Sequence, residues 1–97
     1  MKEQQARLDS SGDRWAVSGS LTMDSASALL EASAPRALPA SGIVDLAGVG
    51  RVDSAGVALL LAWKRRAAAE ASALLFAGIP SSMASLAQLY GVQELLG

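Results

Sequence analysis

The stretch with the most chemical content is Val52-Asp53-Ser54-Ala55-Gly56. A carboxylate, a hydroxyl and a glycine in succession can open a helix, supply a nucleophile, or offer a hydroxyl for phosphorylation. Nucleophilic work by Ser54 requires a base. The chain has no histidine and no cysteine, which removes imidazole and thiolate chemistry, disulfides and thiolate zinc sites together. The lysines are Lys2, in a polar terminus, and Lys64, which lies roughly 15 Å along the same helix from Ser54 at 1.5 Å rise per residue. Gly48-Val49-Gly50 falls short of both the dinucleotide fingerprint and the phosphate-loop pattern. Asp45 and Asp53 could approach one another across a loop, but no third ligand stands in that window. The residues thus name no catalytic group, no metal ligand and no cofactor.

Two readings of the turn stay compatible. In one, Asp53 or Ser54 caps a helix and Gly56 lets that helix approach a strand. In the other, the Ser54 hydroxyl points outward from an exposed helix N-terminus, where the dipole tolerates an anion while Asp53 repels it.

The elements that must position this turn follow from the apolar pattern. Residues 6–10 alternate weakly, Ser11-Gly12-Asp13 supply turn chemistry, and Trp15 to Leu21 read as a second strand with Trp15, Val17 and Leu21 inward. Asp24 is expected to cap a first helix with Ala28, Leu29, Ala32 and Ser33 as its stripe, stopped or kinked at Pro35. A loop through Pro39 and Ser41-Gly42 leads to Gly42–Gly48, an apolar run expected to be a central strand buried on both faces. Residues 48–52 are expected to loop out of it. A second helix starts at Asp53 or Ser54 and runs to about Ala71, residues 73–77 form another strand, and Pro80-Ser81-Ser82 open a third helix capped by Ser81 or Ser82. Met83, Leu86, Ala87 and Tyr90 form its stripe, Gly91 closes it, and Val92–Leu96 packs back as a short tail. The reading is one α/β domain over residues 1–97. Its order is β-β-α-β-α-β-α, with an N-terminal hairpin, a mixed four-stranded sheet, three to four helices, and two or partly three layers.

The second helix is apolar over more of its circumference than one buried face needs. Val57, Leu60 and Leu61 share a side, while Leu59 and Trp63 point toward an adjoining one. Leu59 and Trp63 are therefore either extra core or a partner patch near Ser54, rimmed by Lys64-Arg65-Arg66. The Lys64 stem can snorkel over the core.

Composition bounds the function. Net charge is −1 and 52 % of residues are apolar, so disorder is not expected and no global basic field exists to hold nucleic acid or an anionic membrane. Met1–Gln5 are polar without an apolar signal core, and the longest apolar run, Val57–Trp63, is far below the ~20 residues that span a bilayer. A soluble, cytoplasmic protein with no direct membrane insertion is the expectation.

The element order and the stretch Ile43-Val44-Asp45-Leu46-Ala47-Gly48-Val49-Gly50-Arg51-Val52-Asp53-Ser54-Ala55-Gly56 resemble the STAS domain family, over about Arg7 to Leu96. The resemblance implies a STAS fold and a non-catalytic interaction domain. In the anti-sigma factor antagonist branch, the corresponding serine is phosphorylated by a partner kinase, which switches binding off. Ser54 matches that serine, but Ala55 stands where that branch has a second one. The chain is more similar to the MlaB-type subunit of the Mla phospholipid-transport system, through the Val-Asp-Ser-Ala-Gly turn, the Ala-Leu-Leu-Leu helix and Leu86-Ala87-Gln88-Leu89-Tyr90. That likeness implies an ABC transporter ATPase subunit as partner, a cytoplasmic location peripheral to the inner membrane through that partner, and a role in outer-membrane lipid asymmetry. It implies that Ser54 stands at the interface with that partner, and together with the apolar patch of the second helix the expected partner contacts are Asp53, Ser54, Ala55, Gly56, Leu59 and Trp63. The alternative is an anti-sigma factor kinase as partner, with Ser54 as the phosphorylation site.

Overall fold

A computed structural model describes residues 6–10 and 12–96. Met1–Gln5 and Ser11 of the expected turn lie outside the described residues. The element order is β1 (Arg7–Asp9), β2 (Trp15–Leu21), α1 (Ala26–Ser33), β3 (Ile43–Val52), α2 (Ser54–Ala69), β4 (Leu75–Ala77), α3 (Ser81–Leu89) and α4 (Gln93–Leu96). The sheet runs β1-β2-β3-β4, with β1 antiparallel to β2 and the other two pairings parallel. The mixed four-stranded sheet, its opening hairpin and the β-β-α-β-α-β-α order are those read from the sequence, with α4 formed by the tail.

Two strand expectations need correction. β3 continues through Gly48–Val52, which was expected to loop out. Its pairing with β2 slips twice, Ala16↔Asp45 being followed by Ser18↔Gly48 and Gly19↔Val49 by Leu21↔Val52. Each slip inserts an extra residue, so Val44, Leu46 and Val49 all face the core although their spacing is uneven. β3 is also buried on one face only. Asp45 is half-buried, and Ala47, Gly48 and Gly50 are exposed, because the helices pack on the opposite face and contact one another there. The architecture has two layers.

The core joins Trp15, Val17 and Leu21 of β2, Val44, Leu46 and Val49 of β3, Phe76 of β4 and the inward faces of the helices. Trp15, Val17 and Leu21 are inward as their alternation requires. Trp15 and Trp63 meet edge to face at 5.4 Å between ring centroids, a geometry the ring quadrupoles favour. Trp63 is fully buried, and its indole N–H donates to Ser33 Oγ at 2.9 Å. The Arg66 guanidinium donates to Ser33 O at 3.0 Å and to Arg36 O, pairs with Glu70 at 2.8 Å and lies 5.9 Å over the Trp15 ring. These bonds satisfy carbonyls at and just beyond the C-terminal end of α1, ahead of and behind Pro35.

Arg36 closes the outer side of the sheet, its Nη1 donating to Leu8 O at 3.0 Å and to Ser10 Oγ at 2.9 Å. The Lys64 stem lies along the core as expected, with Nζ donating to Leu74 O at 2.7 Å and 5.5 Å from the Phe76 ring centroid. Gly91 takes φ +71 after α3, the left-handed conformation that ends a helix. The expected caps differ. The cap of α1 is Ser25 rather than Asp24, and that of α3 is Pro80 rather than Ser81 or Ser82, neither with a side-chain cap bond. Tyr90 is 50 % exposed, so the buried part of the α3 stripe is Met83 and Ala87.

Replacing Ser33 by alanine strands the buried Trp63 indole N–H without an acceptor. Urea denaturation of Ser33→Ala should show a loss of about 1–3 kcal/mol.

Candidate functional site

β3 enters α2 at Asp53, whose backbone is extended at φ −126, ψ −168. Its N–H donates to Leu21 O at 3.2 Å, which prolongs the β2–β3 pairing to the edge of the helix. Its carboxylate then faces two ways. Oδ1 accepts from Ala55 N at 2.8 Å, capping α2. Oδ2 accepts from Met23 N at 2.9 Å, reaching the turn between β2 and α1. One side chain thus ties together two turns 30 residues apart in sequence.

The Thr22–Ser25 turn is held from its other end as well. Ser25 Oγ accepts from Thr22 N at 3.1 Å and donates to Ser20 O at 2.6 Å. That explains why Ser25 gives no cap bond to α1: its hydroxyl is turned back onto β2.

Gly56 is dictated by the same approach. A Cβ there would stand 2.6 Å from Leu21 O and 3.0 Å from both Leu21 Cβ and Val52 Cγ1. The first turn of α2 therefore lies directly against the end of β2, which only glycine permits.

Ser54 is exposed at the head of α2, and its hydroxyl makes no hydrogen bond among the described residues. Among the described residues, the lysine and carboxylates weighed as its partners are engaged by other groups. Lys64 is committed to Leu74 O, and both Asp53 oxygens accept backbone N–H groups. Asp45 does not join Asp53. It accepts from Ala47 N at 2.9 Å and pairs with Arg14 at 3.6 Å. Among the described residues no three histidine, cysteine or acidic side chains come together as metal ligands. A cavity of about 530 Å³ between β1, the end of β2 and α1 reaches the Thr22–Ser25 turn, with Leu8, Thr22, Asp24, Leu29 and Arg36 in its lining.

The structure brings Asp53, Ser54, Ala55 and Gly56 together and separates Leu59 and Trp63 from them. Leu59 is 2 % exposed and Trp63 0 %, so neither contributes to a surface patch. This corrects the expectation that they touch a partner and selects the extra-core alternative. α2 has α1 on one flank and α3 with α4 on the other, so a wide arc of its circumference is covered. Its outward side carries Ser54, Ala58 and Arg65, all exposed, with Leu61 and Ala62 half-buried among them. These positions recur at helical spacing and make one stripe running down from the turn.

The same geometry adds Met23, which the sequence does not single out. It is 78 % exposed. The available signal was an apolar residue inside the polar run Thr22-Met23-Asp24-Ser25, where no core stripe calls for it.

A family model described as "Mlab, STAS domain" matches residues 5–97. No curated protein matches the chain.

Replacing Asp53 by alanine removes the α2 cap and the tie to Met23 together. Asp53→Ala should lower stability by about 1–2 kcal/mol, measured by urea denaturation. Amide hydrogen exchange should accelerate at both Met23 and Ala55 rather than at Ala55 alone.

Proposed function

The chain belongs to the STAS domain family, in its MlaB-type branch, and from that premise we propose that it is a non-catalytic accessory subunit. It binds the cytoplasmic ATPase of an Mla-type phospholipid ABC transporter and supports the assembly and activity of that transporter. STAS domains are protein–protein interaction modules. The single observation that carries the finer reading is the MlaB-type match over residues 5–97.

The geometry supports a docking role for the β3–α2 turn. Ser54 stands exposed on backbone that Asp53 and Gly56 hold in place, so a partner meets a surface that need not be ordered first. The Ser54, Ala58 and Ala62 side chains are small and face outward or half outward, which lets a partner surface come close. Arg65 ends the stripe with a charge at its rim. The ATPase would place the protein at the inner membrane, since no helix among the described residues is long and apolar enough to cross one.

The phosphoswitch reading draws on one observation, the exposed Ser54 hydroxyl. Against it stands the cap. The Ala55 N–H that would meet a phosphate on Ser54 is already bound by the Asp53 carboxylate. A dianion there would face a neighbouring negative charge without that donor. A plain contact fits the turn better than a switch.

Co-expression with the Mla-type ABC ATPase of its own host should yield a stable complex. Ser54→Asp should weaken that complex at least tenfold, because it places a charge in a desolvated contact, while the melting temperature of the isolated chain stays within a degree or two. Binding of Ser54→Asp at wild-type affinity would show that the turn is not the docking point.

A further inference from the structure

We propose that Met23 is a partner-contact anchor, an apolar knob that the Asp53 carboxylate holds beside Ser54 and that enters an apolar socket on the partner protein. The proposal rests on the reading of Ser54 as a docking point. It deepens that reading by naming a residue from a different part of the chain and the chemistry that receives it.

Met23 is 78 % exposed, ahead of Leu89 at 75 %. Single apolar side chains on a surface are ordinary when nothing fixes them. This one is fixed. Its own N–H is bonded to Asp53 Oδ2 at 2.9 Å. The turn that carries it is tied to β2 through Ser25 Oγ and Ser20 O at 2.6 Å. The backbone therefore stands ordered before any partner arrives, and binding immobilises only the side-chain torsions. Within the Thr22–Ser25 turn its neighbours are polar, Thr22 half-buried and Asp24 exposed, so the thioether is the one large apolar group the turn presents.

The shared carboxylate gives the geometry its direction. Asp53 binds Met23 through one oxygen and the first turn of α2 through the other, so one side chain joins the backbone of Met23 to the backbone beside Ser54. Asp53 is the positioning residue, and Met23 makes the contact. The buried Leu59 and Trp63 cannot supply an apolar anchor here. A partner that fits must offer a dry pocket of methionine size beside a wall that tolerates the Ser54 hydroxyl and the Asp24 carboxylate. Methionine suits such a pocket because its unbranched, polarisable side chain adapts to an irregular wall.

An exposed anchor of this type has a chemical consequence. Hydrogen peroxide transfers one oxygen atom to the thioether. The O–O bond breaks, sulfur loses two electrons, and sulfoxide and water result. Met83 on α3 has 0 % exposure and is shielded from the same reaction. Oxidation of Met23 turns the apolar knob polar and should release the partner.

The test measures affinity for the co-expressed ATPase with four forms of the chain. Met23→Ala should bind at least tenfold more weakly, mainly through faster dissociation, with an unchanged melting temperature. Met23→Leu should bind within threefold of wild type. Peroxide treatment, with peptide mapping to show sulfoxide at Met23, should weaken wild type and leave Met23→Leu unaffected. If Ser54→Asp abolishes binding while Met23→Ala binds like wild type, the docking point stands and the anchor is wrong. If both variants bind like wild type, the docking point itself is wrong and the anchor falls with it. Equal peroxide sensitivity of wild type and Met23→Leu would also overturn the assignment.

Discussion

The head of α2 lies against the end of β2 at a distance that leaves no room for a side chain, and much of the molecule is arranged around that contact. Gly56 makes it sterically allowed, since a Cβ would fall 2.6 Å from Leu21 O. Asp53 makes it favourable, because its main chain continues the sheet into Leu21 while its carboxylate closes the helix and reaches Met23. Sheet, helix and the β2–α1 turn therefore converge on one residue. Ser54 is displayed as a by-product of that convergence: it is the first residue past the cap, and its hydroxyl is without a bond among the described residues.

The opposite end of the helical layer is organised by a second polar knot. Trp63 is buried deep in an apolar core, yet its N–H must have an acceptor. Ser33 on α1 supplies it, and Arg66 then ties the Ser33 and Arg36 carbonyls to α2. The two helices are thus pinned at both ends, by Asp53 through the Thr22–Ser25 turn and by Trp63 with Arg66. This is why the wide apolar arc of α2 is spent internally. A second helix lies over Leu59 and Trp63, and the free stripe shifts round to Ser54, Ala58 and Arg65.

What was legible in the sequence follows from which forces are local. The hairpin, the helix starting after Asp53, the Gly91 turn and the element order rest on alternation, capping and glycine chemistry, which neighbouring residues carry by themselves. The extension of β3 through Gly48-Val49-Gly50-Arg51-Val52 was not legible. Two bulges against β2 break the period-2 pattern, and glycine-rich sequence reads as a loop when its partner strand is unseen. The cap of α1 was misplaced for a similar reason: Ser25 rather than Asp24 stands there and spends its hydroxyl on β2, a choice made by tertiary contact. Within the candidate site, Asp53, Ser54 and Gly56 were found because they are contiguous. Leu59 and Trp63 were misplaced because one helix cannot reveal how many neighbours will cover it. Met23 was missed because its tie to the site spans 30 residues.

The guanidinium of Arg36 bears on how this protein can be shared among partners. By occupying the Leu8 carbonyl, it takes an acceptor that an incoming strand would need, and β1 offers only three residues to begin with. β4, at the other margin, is equally brief. Neither border strand offers a long row of free backbone groups on which a further strand could build. Addition of strands at those two margins is thereby discouraged, which leaves the turns and the helical layer as the broader surfaces a partner can meet.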